Sequence, residues 1–128
     1  MEDQIKRINQ DFYDAFNTQD LALMKKVWRS EGITHCIHPG WTVLRGHDSI
    51  LRSWKDIFQN TGNLEIKVSD LEVIANGDFA WVSCQENLFS IHSAGVQESK
   101  VYATNLFQKI SGHWKMVQHH ASVLPGMD

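Results

Sequence analysis

The sequence predicts an α+β domain in which a curved antiparallel sheet wraps around three N-terminal helices. In the first half of the chain, apolar residues recur at three- and four-residue steps, whereas from Leu64 onward they alternate with polar residues. Ser111-Gly112 separates two runs rich in β-branched and aromatic residues, which is the pattern of a tight hairpin. Helices that come first and strands that come later favour helices gathered on one face of a sheet.

Size and charge limit the possible functions. At 128 residues and a net charge of −3, the chain is expected to form one domain over residues 1–128, without an electrostatic preference for nucleic acid or anionic membranes. The N-terminus is polar and acidic, unlike a signal peptide. Cys36 and Cys84 lack metal-site or redox spacing and suit a reducing compartment. We therefore expect a cytoplasmic protein with no nucleic-acid or membrane partner.

Three amphipathic helices are predicted. The first covers Asp3 to Asn17, and the second follows Asp20, a candidate N-cap, over residues 21–28. The third begins at Gly46 or Asp48 and ends near residues 60–62. Their apolar stripes comprise Ile5, Ile8, Phe12, Ala15 and Phe16, then Leu21, Met24, Val27 and Trp28, then Ile50, Leu51, Trp54, Ile57 and Phe58.

Two short and four long strands complete the prediction. The short strands cover residues 33–38 and 41–44, separated by Pro39-Gly40. The long strands cover residues 64–75, 79–92, 98–110 and 113–122, with an Asn76-Gly77 turn and a loop at residues 93–95. Because both faces of the terminal hairpin are half apolar, each face is expected to pack against another part of the protein or a second subunit. We expect the helices on one face and a second subunit on the other.

Strict alternation assigns side chains to the two faces. If Ile110 lies opposite His113, Asn105 shares its face with Gln118 and His120. The register of the preceding hairpin would add Ser83 to that face and place Glu86 on the opposite one, either as a general acid or in a subunit interface.

Two segments carry a family resemblance. The helix start at Gly46 and the terminal strand from Gly112 to Ser122 resemble the SnoaL-like branch of the nuclear transport factor 2-like superfamily, with the cone-shaped, cystatin-like fold of ketosteroid isomerase. The terminal hairpin is also similar to the association domain of calcium/calmodulin-dependent protein kinase II. The matching residues are Thr104, Phe107, Gly112, Trp114, Val117, His120 and Ser122. The resemblance implies a conical cavity, a small-molecule pocket and a homodimer formed through the sheet.

The sequence also departs from these relatives. Where the association domain has an arginine-lined pocket, this chain has Ser83, Asn105 and Ala121, so the cations that would hold a carboxylate are missing. A Tyr and Asp pair matching the oxyanion donors of the isomerase, and an Asp matching its base, are not found. The resemblance therefore predicts the cone and pocket without naming a reaction.

Several residues are candidates for the site. His120 beside Asn105 is a candidate acid, base or hydrogen-bond donor; the alternative is a structural histidine at an interface. His38 and Trp41 flank a rigid bend and are candidates to bind a ligand at the mouth of the cavity; the alternative is that Trp41 fills the core and His38 caps a turn. Trp54 and Phe58, one helical turn apart, are candidates for the cavity wall or simply for the core.

Metal and nucleophilic chemistry are not favoured by the pattern. On a strand, His35 points away from Cys36 and His38, and His119 points away from His120, so the histidines do not converge. Neither Ser nor Cys has nucleophile-elbow surroundings. We expect no metal and no cofactor.

Three functions follow from these observations. The first is a pocket protein for a mostly apolar, ring-containing ligand, with polar contacts from Ser83, Asn105, Gln118, His120 and His38. The second is an isomerase, lyase or hydrolase with His120 or His38 as general base. The third is a non-catalytic dimerisation module whose cavity is incidental.

Overall fold

The computed structural model describes residues 1–125 and contains three helices and one six-stranded sheet. The helices are α1 (Glu2–Asn17), α2 (Leu21–Val27) and α3 (His47–Asn60). The strands are β1 (His35–Ile37), β2 (Leu44–Arg45), β3 (Leu64–Asn76), β4 (Phe79–His92), β5 (Gly95–Ile110) and β6 (His113–Val123). This arrangement confirms the predicted α+β class. Within residues 1–125, none of the helices has both the length and the hydrophobicity needed to cross a bilayer.

Local sequence signals explain where the helices begin and which faces they bury. As predicted, Asp20 caps α2, because its carboxylate accepts a hydrogen bond of 3.0 Å from the Leu23 amide. Gly46 is the N-cap residue of α3, and its φ of 89° suits a residue without a Cβ atom. The predicted stripe of α1 is buried except for Ile8, which is half-buried, and the helix also buries two polar residues, Asn9 and Tyr13.

The sheet has the strand order β2-β1-β6-β5-β4-β3 and is mixed, not wholly antiparallel as predicted. Strand β1 runs parallel to β6. The reason lies just before β1, where Trp28 forms a parallel bridge with Met116 and the Arg29 amide donates to the Met116 carbonyl at 3.0 Å. The chain is therefore aligned with β6 before β1 starts.

Two β-bulges bend the sheet around the helices. In β6, Met116 lies opposite Phe107 and Gln118 lies opposite Leu106, so Val117 is an extra residue. In β3, the register shifts between Ser69 and Glu72. Bulges of this kind increase local twist and curvature, and they produce a concave face here.

The bulge in β6 corrects the predicted faces. The predicted register holds from Ile110 to Phe107 and is wrong beyond it, because the extra residue reverses the alternation. His119 consequently faces the helices and is 3% exposed, whereas His120 lies exposed on the convex face. Gln118 pairs with Leu106 on that same outer face.

The register of the β4–β5 hairpin also differs from the prediction. His92 pairs with Gly95, so the turn is shorter than expected. Val82 therefore lies opposite Asn105, which puts Glu86 on the concave face and Ser83 on the convex face. The observed register differs from the predicted one by an odd number of residues, so the faces predicted for Ser83 and Glu86 are both wrong.

Candidate ligand-binding and acid–base site

A cavity of about 270 Å³ lies between the helices and the concave face of the sheet. Most of its wall is aromatic or aliphatic, and its ionisable side chains are His38, Glu86 and His119. A mostly apolar wall with a few converging polar groups is the usual composition of a small-molecule site. The lining residues are Phe12, Phe16, His38, Pro39, Trp41, Trp54, Ile57, Leu64, Ile66, Glu86, Leu88 and His119.

Glu86 is a buried carboxyl group held by a tyrosine from α1. The Tyr13 hydroxyl donates a hydrogen bond of 2.7 Å to Glu86 Oε2 and lies 3.4 Å from Cys84 Sγ. Burial raises the pKa of Tyr13 well above its ordinary value, so its hydroxyl keeps its proton. Burial also raises the pKa of Glu86 to about 7, and the hydrogen bond from Tyr13 opposes that rise. Glu86 can therefore gain or lose a proton near neutral pH.

Asn105 connects Tyr13 with His119 beneath the cavity. Its amide nitrogen donates to Asn9 Oδ1 at 2.8 Å and to the Tyr13 hydroxyl oxygen at 3.1 Å. Its amide oxygen lies 2.6 Å from His119 Nδ1. Because an amide oxygen only accepts, His119 Nδ1 must carry the proton, and in a neutral ring His119 Nε2 is then a bare acceptor.

His119 is neutral and faces Glu86 across a short gap. Burial, followed by the nearby His38 and His120, lowers the pKa of His119 to about 3. His119 Nε2 lies 4.0 Å from Glu86 Oε2. This distance is too long for a hydrogen bond, and the uncharged ring cannot form an ion pair. Hydrogen bonds thus connect Glu86, through Tyr13 and Asn105, to His119. The two ends of this network, Glu86 and His119, both line the cavity and are separated by the gap.

His38 lies at the end of β1, and a hydrogen bond to Ser53 fixes the proton on its Nε2 atom. The Ser53 hydroxyl donates to the Ile50 carbonyl at 2.6 Å, so it accepts from His38 Nε2 at 3.0 Å. Burial lowers the pKa of His38 to about 4. The His38 ring packs against Trp54 and Trp41, with centroid distances of 4.6 and 4.7 Å. Trp41 is 47% exposed, so it forms part of the rim of the cavity.

The structure separates the predicted site residues into three groups. His38, Trp41 and Trp54 line the cavity, and Asn105 lies in the polar network beneath it. Phe58 packs against Trp54, with a centroid distance of 6.1 Å, and supports the wall. The third group, which the bulge and the short turn place on the convex face, comprises Ser83, Gln118 and His120.

Sequence reasoning missed Asn9, Tyr13 and His119, and it placed Glu86 on the wrong face. A signal existed for the first two, because Asn9 and Tyr13 lie four residues apart beside Phe12 and Phe16 in the stripe of α1. Polar groups at such spacing in a buried stripe require partners. No comparable local signal marks His119.

The cysteines and histidines do not add a nucleophile or a metal centre. Burial raises the pKa of Cys84 to about 11 and that of Cys36 further still, so both thiols are protonated at neutral pH. Within residues 1–125, no three His, Cys, Asp or Glu side chains are grouped so that they could hold a metal ion.

The three helices and the curved six-stranded sheet are consistent with a cone-shaped fold. The SnoaL-like domain model matches residues 5–126, so the chain belongs to the SnoaL-like domain family. This confirms the resemblance identified from the sequence. Solved structures described as NTF2-like and as cystatin-like have the same fold.

Two solved structures are similar over almost the whole chain. A proposed dehydratase of the NTF2-like family from Streptomyces avermitilis is 30% identical, covers 97% of this chain and 96% of its own, and has a TM-score of 0.89. A proposed calcium/calmodulin-dependent protein kinase type II association domain from Thiobacillus denitrificans is 28% identical, covers 93% of this chain and 94% of its own, and has a TM-score of 0.84.

A curated relative is a longer protein. The F-box protein SKIP8 of Arabidopsis thaliana is 26% identical over 117 residues, which are 91% of this chain and 48% of the relative. The chain therefore spans about half the length of that relative.

Proposed function

We propose that this protein is an acid–base enzyme that binds a small, largely apolar molecule in the cavity and moves a proton with Glu86. The observation that carries the proposal is the Glu86 carboxyl group, which lines an apolar cavity with a pKa of about 7 and is held by Tyr13 at 2.7 Å. A general acid or base works best when its pKa lies near the working pH. Lyase or isomerase chemistry fits this group.

The surrounding residues support proton transfer by Glu86 and not by a histidine. His119 and His38 have pKa values of about 3 and 4, so at neutral pH they are uncharged and weakly basic. In this proposal His119 orients the ligand through a hydrogen bond. The dehydratase description of the Streptomyces relative belongs to the same reaction type, because loss of water also requires proton transfer to and from the substrate.

The experiment follows proton exchange and water loss directly. The protein is incubated in D₂O with a panel of one-ring ketones and alcohols, and mass spectrometry detects deuterium incorporation or dehydration. We expect activity in the wild type and a loss of roughly 100-fold or more in Glu86→Gln, because an amide cannot act as a general acid or base near neutral pH. Ser83→Ala, on the convex face of the same strand, is the matched control and should retain activity.

Two other results would reject the enzyme proposal. Full activity in Glu86→Gln would exclude this residue as the proton-transfer group. If no panel member reacts but several raise the melting temperature, the domain is a non-catalytic pocket protein, because a ligand that binds only the folded state stabilises it.

We also propose that the protein forms a homodimer through the convex face of the sheet. Trp81 and Tyr102 lie on this face and are 43% and 52% exposed, while the helices cover the concave side. A self-complementary pair of such faces would bury apolar area in both copies. Light scattering should report twice the 14.7 kDa mass, and Tyr102→Glu should lower it. A monomer mass for the wild type at micromolar concentration would reject the dimer.

A cytoplasmic location remains part of the proposal. Cys36 and Cys84 are both free and buried in the described part of the chain, which suits a reducing compartment. Cell fractionation with an antibody tests the location, and recovery in a secreted fraction would contradict it.

A further inference from the structure

We infer that the gap between Glu86 and His119 is a binding subsite for a hydroxyl group, and that the substrate is therefore a small apolar alcohol. The subsite rests on the proposed function, because it needs the cavity to be the place where the substrate binds. It adds the chemical class of that substrate, which the acid–base proposal leaves open.

The distance across the gap matches one bridging oxygen atom. His119 Nε2 and Glu86 Oε2 are 4.0 Å apart. An oxygen that lies about 2.8 Å from both atoms, an ordinary hydrogen-bond distance, sits about 2 Å to the side of the line that joins them. Both residues line the cavity, so a ligand inside it can place an oxygen there.

The fixed direction of the hydrogen bonds selects a hydroxyl over a carbonyl. His119 Nδ1 donates to Asn105 at 2.6 Å, so His119 Nε2 can only accept. A ligand hydroxyl can donate to this nitrogen and accept from protonated Glu86 at the same time. A carbonyl oxygen would instead face the nitrogen lone pair and leave that buried acceptor unsatisfied, which costs binding free energy.

The tautomer that creates this acceptor is held by the network and not by His119 alone. Asn105 cannot turn over its amide group without losing its bonds to Asn9 and Tyr13, at 2.8 and 3.1 Å. Since Asn105 is fully buried, no solvent would replace those bonds. The network therefore presents a bare nitrogen to the cavity in a defined orientation.

The other residues of the cavity wall indicate the size and polarity of the rest of the ligand. Aromatic and aliphatic side chains make up most of it, and His38 Nε2 is already bonded to Ser53. The volume of about 270 Å³ lies just below the roughly 300 to 1,000 Å³ of sites for drug-sized ligands. A single ring that carries one hydroxyl group suits this space.

The test compares three ligands of nearly equal size. Dissociation constants of 1-phenylethanol, acetophenone and ethylbenzene are measured at pH 6 by ligand-observed NMR with wild type and variants. We expect the alcohol to bind the wild type about 10-fold more tightly than the ketone, the effect of one correctly paired hydrogen bond. His119→Phe should abolish this preference, whereas His120→Phe, the adjacent control on the convex face, should retain it.

The variant Glu86→Gln separates the subsite from the catalytic proposal. In this variant a ligand hydroxyl can still donate to His119 Nε2, so the preference for the alcohol should persist while proton transfer is lost. If the alcohol preference is present but Glu86→Gln keeps full activity, the catalytic proposal fails and the subsite stands. If the ketone or ethylbenzene binds as tightly as the alcohol, or if none of the three binds, the subsite is rejected.

If His119→Phe does not fold, the subsite can still be tested by a measurement on the wild type. The ¹⁵N resonance of His119 Nε2 reports directly whether this nitrogen accepts a hydrogen bond. We expect it to shift upfield when 1-phenylethanol is added and to remain in place with acetophenone. An unchanged resonance at saturating alcohol would overturn the hydroxyl subsite.

Discussion

His119 and His120 are neighbours in the sequence and occupy opposite environments. His119 is 3% exposed, bonded to Asn105 and has a pKa of about 3, whereas His120 is exposed on the convex face. The two side chains are chemically identical, so the difference comes entirely from the side of the sheet that each occupies. The concave face makes an imidazole a fixed, neutral acceptor, and the convex face leaves it exposed.

The same contrast extends along the central strands. On the concave face, Asn105 and Glu86 are buried and hydrogen-bonded. On the convex face, Thr104 and Ser83 are exposed. Substitutions on the concave face should therefore leave partners unsatisfied, while their convex neighbours should tolerate change.

The largest expected effect is on stability and comes from Asn105→Ala. The change removes three buried hydrogen bonds and leaves groups of Asn9, Tyr13 and His119 unpaired, which should cost about 4 kcal/mol. Urea denaturation measures the loss. Thr104→Ala, one residue away on the convex face, should cost less than about 1 kcal/mol. Equal losses in both variants would mean that the concave network does not stabilise the fold.

The second effect depends on pH and concerns Glu86→Gln. The pKa of Glu86 rises from 4.5 to about 7 on folding, so the folded state holds this proton more tightly than the unfolded chain. The favourable contribution of protonated Glu86 to the free energy of unfolding is fully present below pH 4.5 and is lost as pH rises through 7. Relative to Glu86→Gln, the wild type should lose about 3 kcal/mol of unfolding free energy between pH 4.5 and pH 8.

Comparison with Glu86→Gln isolates this one group. The pKa values of His38 and His119 are lowered on folding, so these residues destabilise the protein as pH falls below 6.5. The histidines make the same contribution in the wild type and in Glu86→Gln, so it largely cancels when the unfolding free energies of the two proteins are subtracted. Parallel stability curves over the whole pH range would show that Glu86 has an ordinary pKa.

The smallest effect compares the adjacent histidines. His119→Phe keeps most of the side-chain volume but leaves the Asn105 amide oxygen without its donor, which should cost about 2 kcal/mol. His120→Phe should change stability by no more than about 0.5 kcal/mol. Thermal denaturation of the two variants provides the measurement. If His120→Phe is the more destabilising change, the assignment of the two faces is wrong.

Much of the fold could be predicted because its signals are local. The stripes of α1 and α3, the Asp20 cap and the Ser111-Gly112 turn all depend on residues a few positions apart. His38, Trp41 and Trp54, which lie on the predicted bend and the predicted third helix, line the cavity. The predicted site remained incomplete because its central residues come from strands whose register was misjudged.

The sequence alone was sufficient for the fold class, the helices and the family, because periodicity and short motifs carry that information. The identity of the polar groups at the cavity required the three-dimensional arrangement. The extra residue at Val117 and the short turn before Gly95 bring His119 and Glu86 inside and put His120 and Ser83 outside. The physical reason is that side chains alternate along a strand, so a shift of the register by one residue moves every side chain to the opposite face. The register itself depends on pairing between strands that are distant in the sequence.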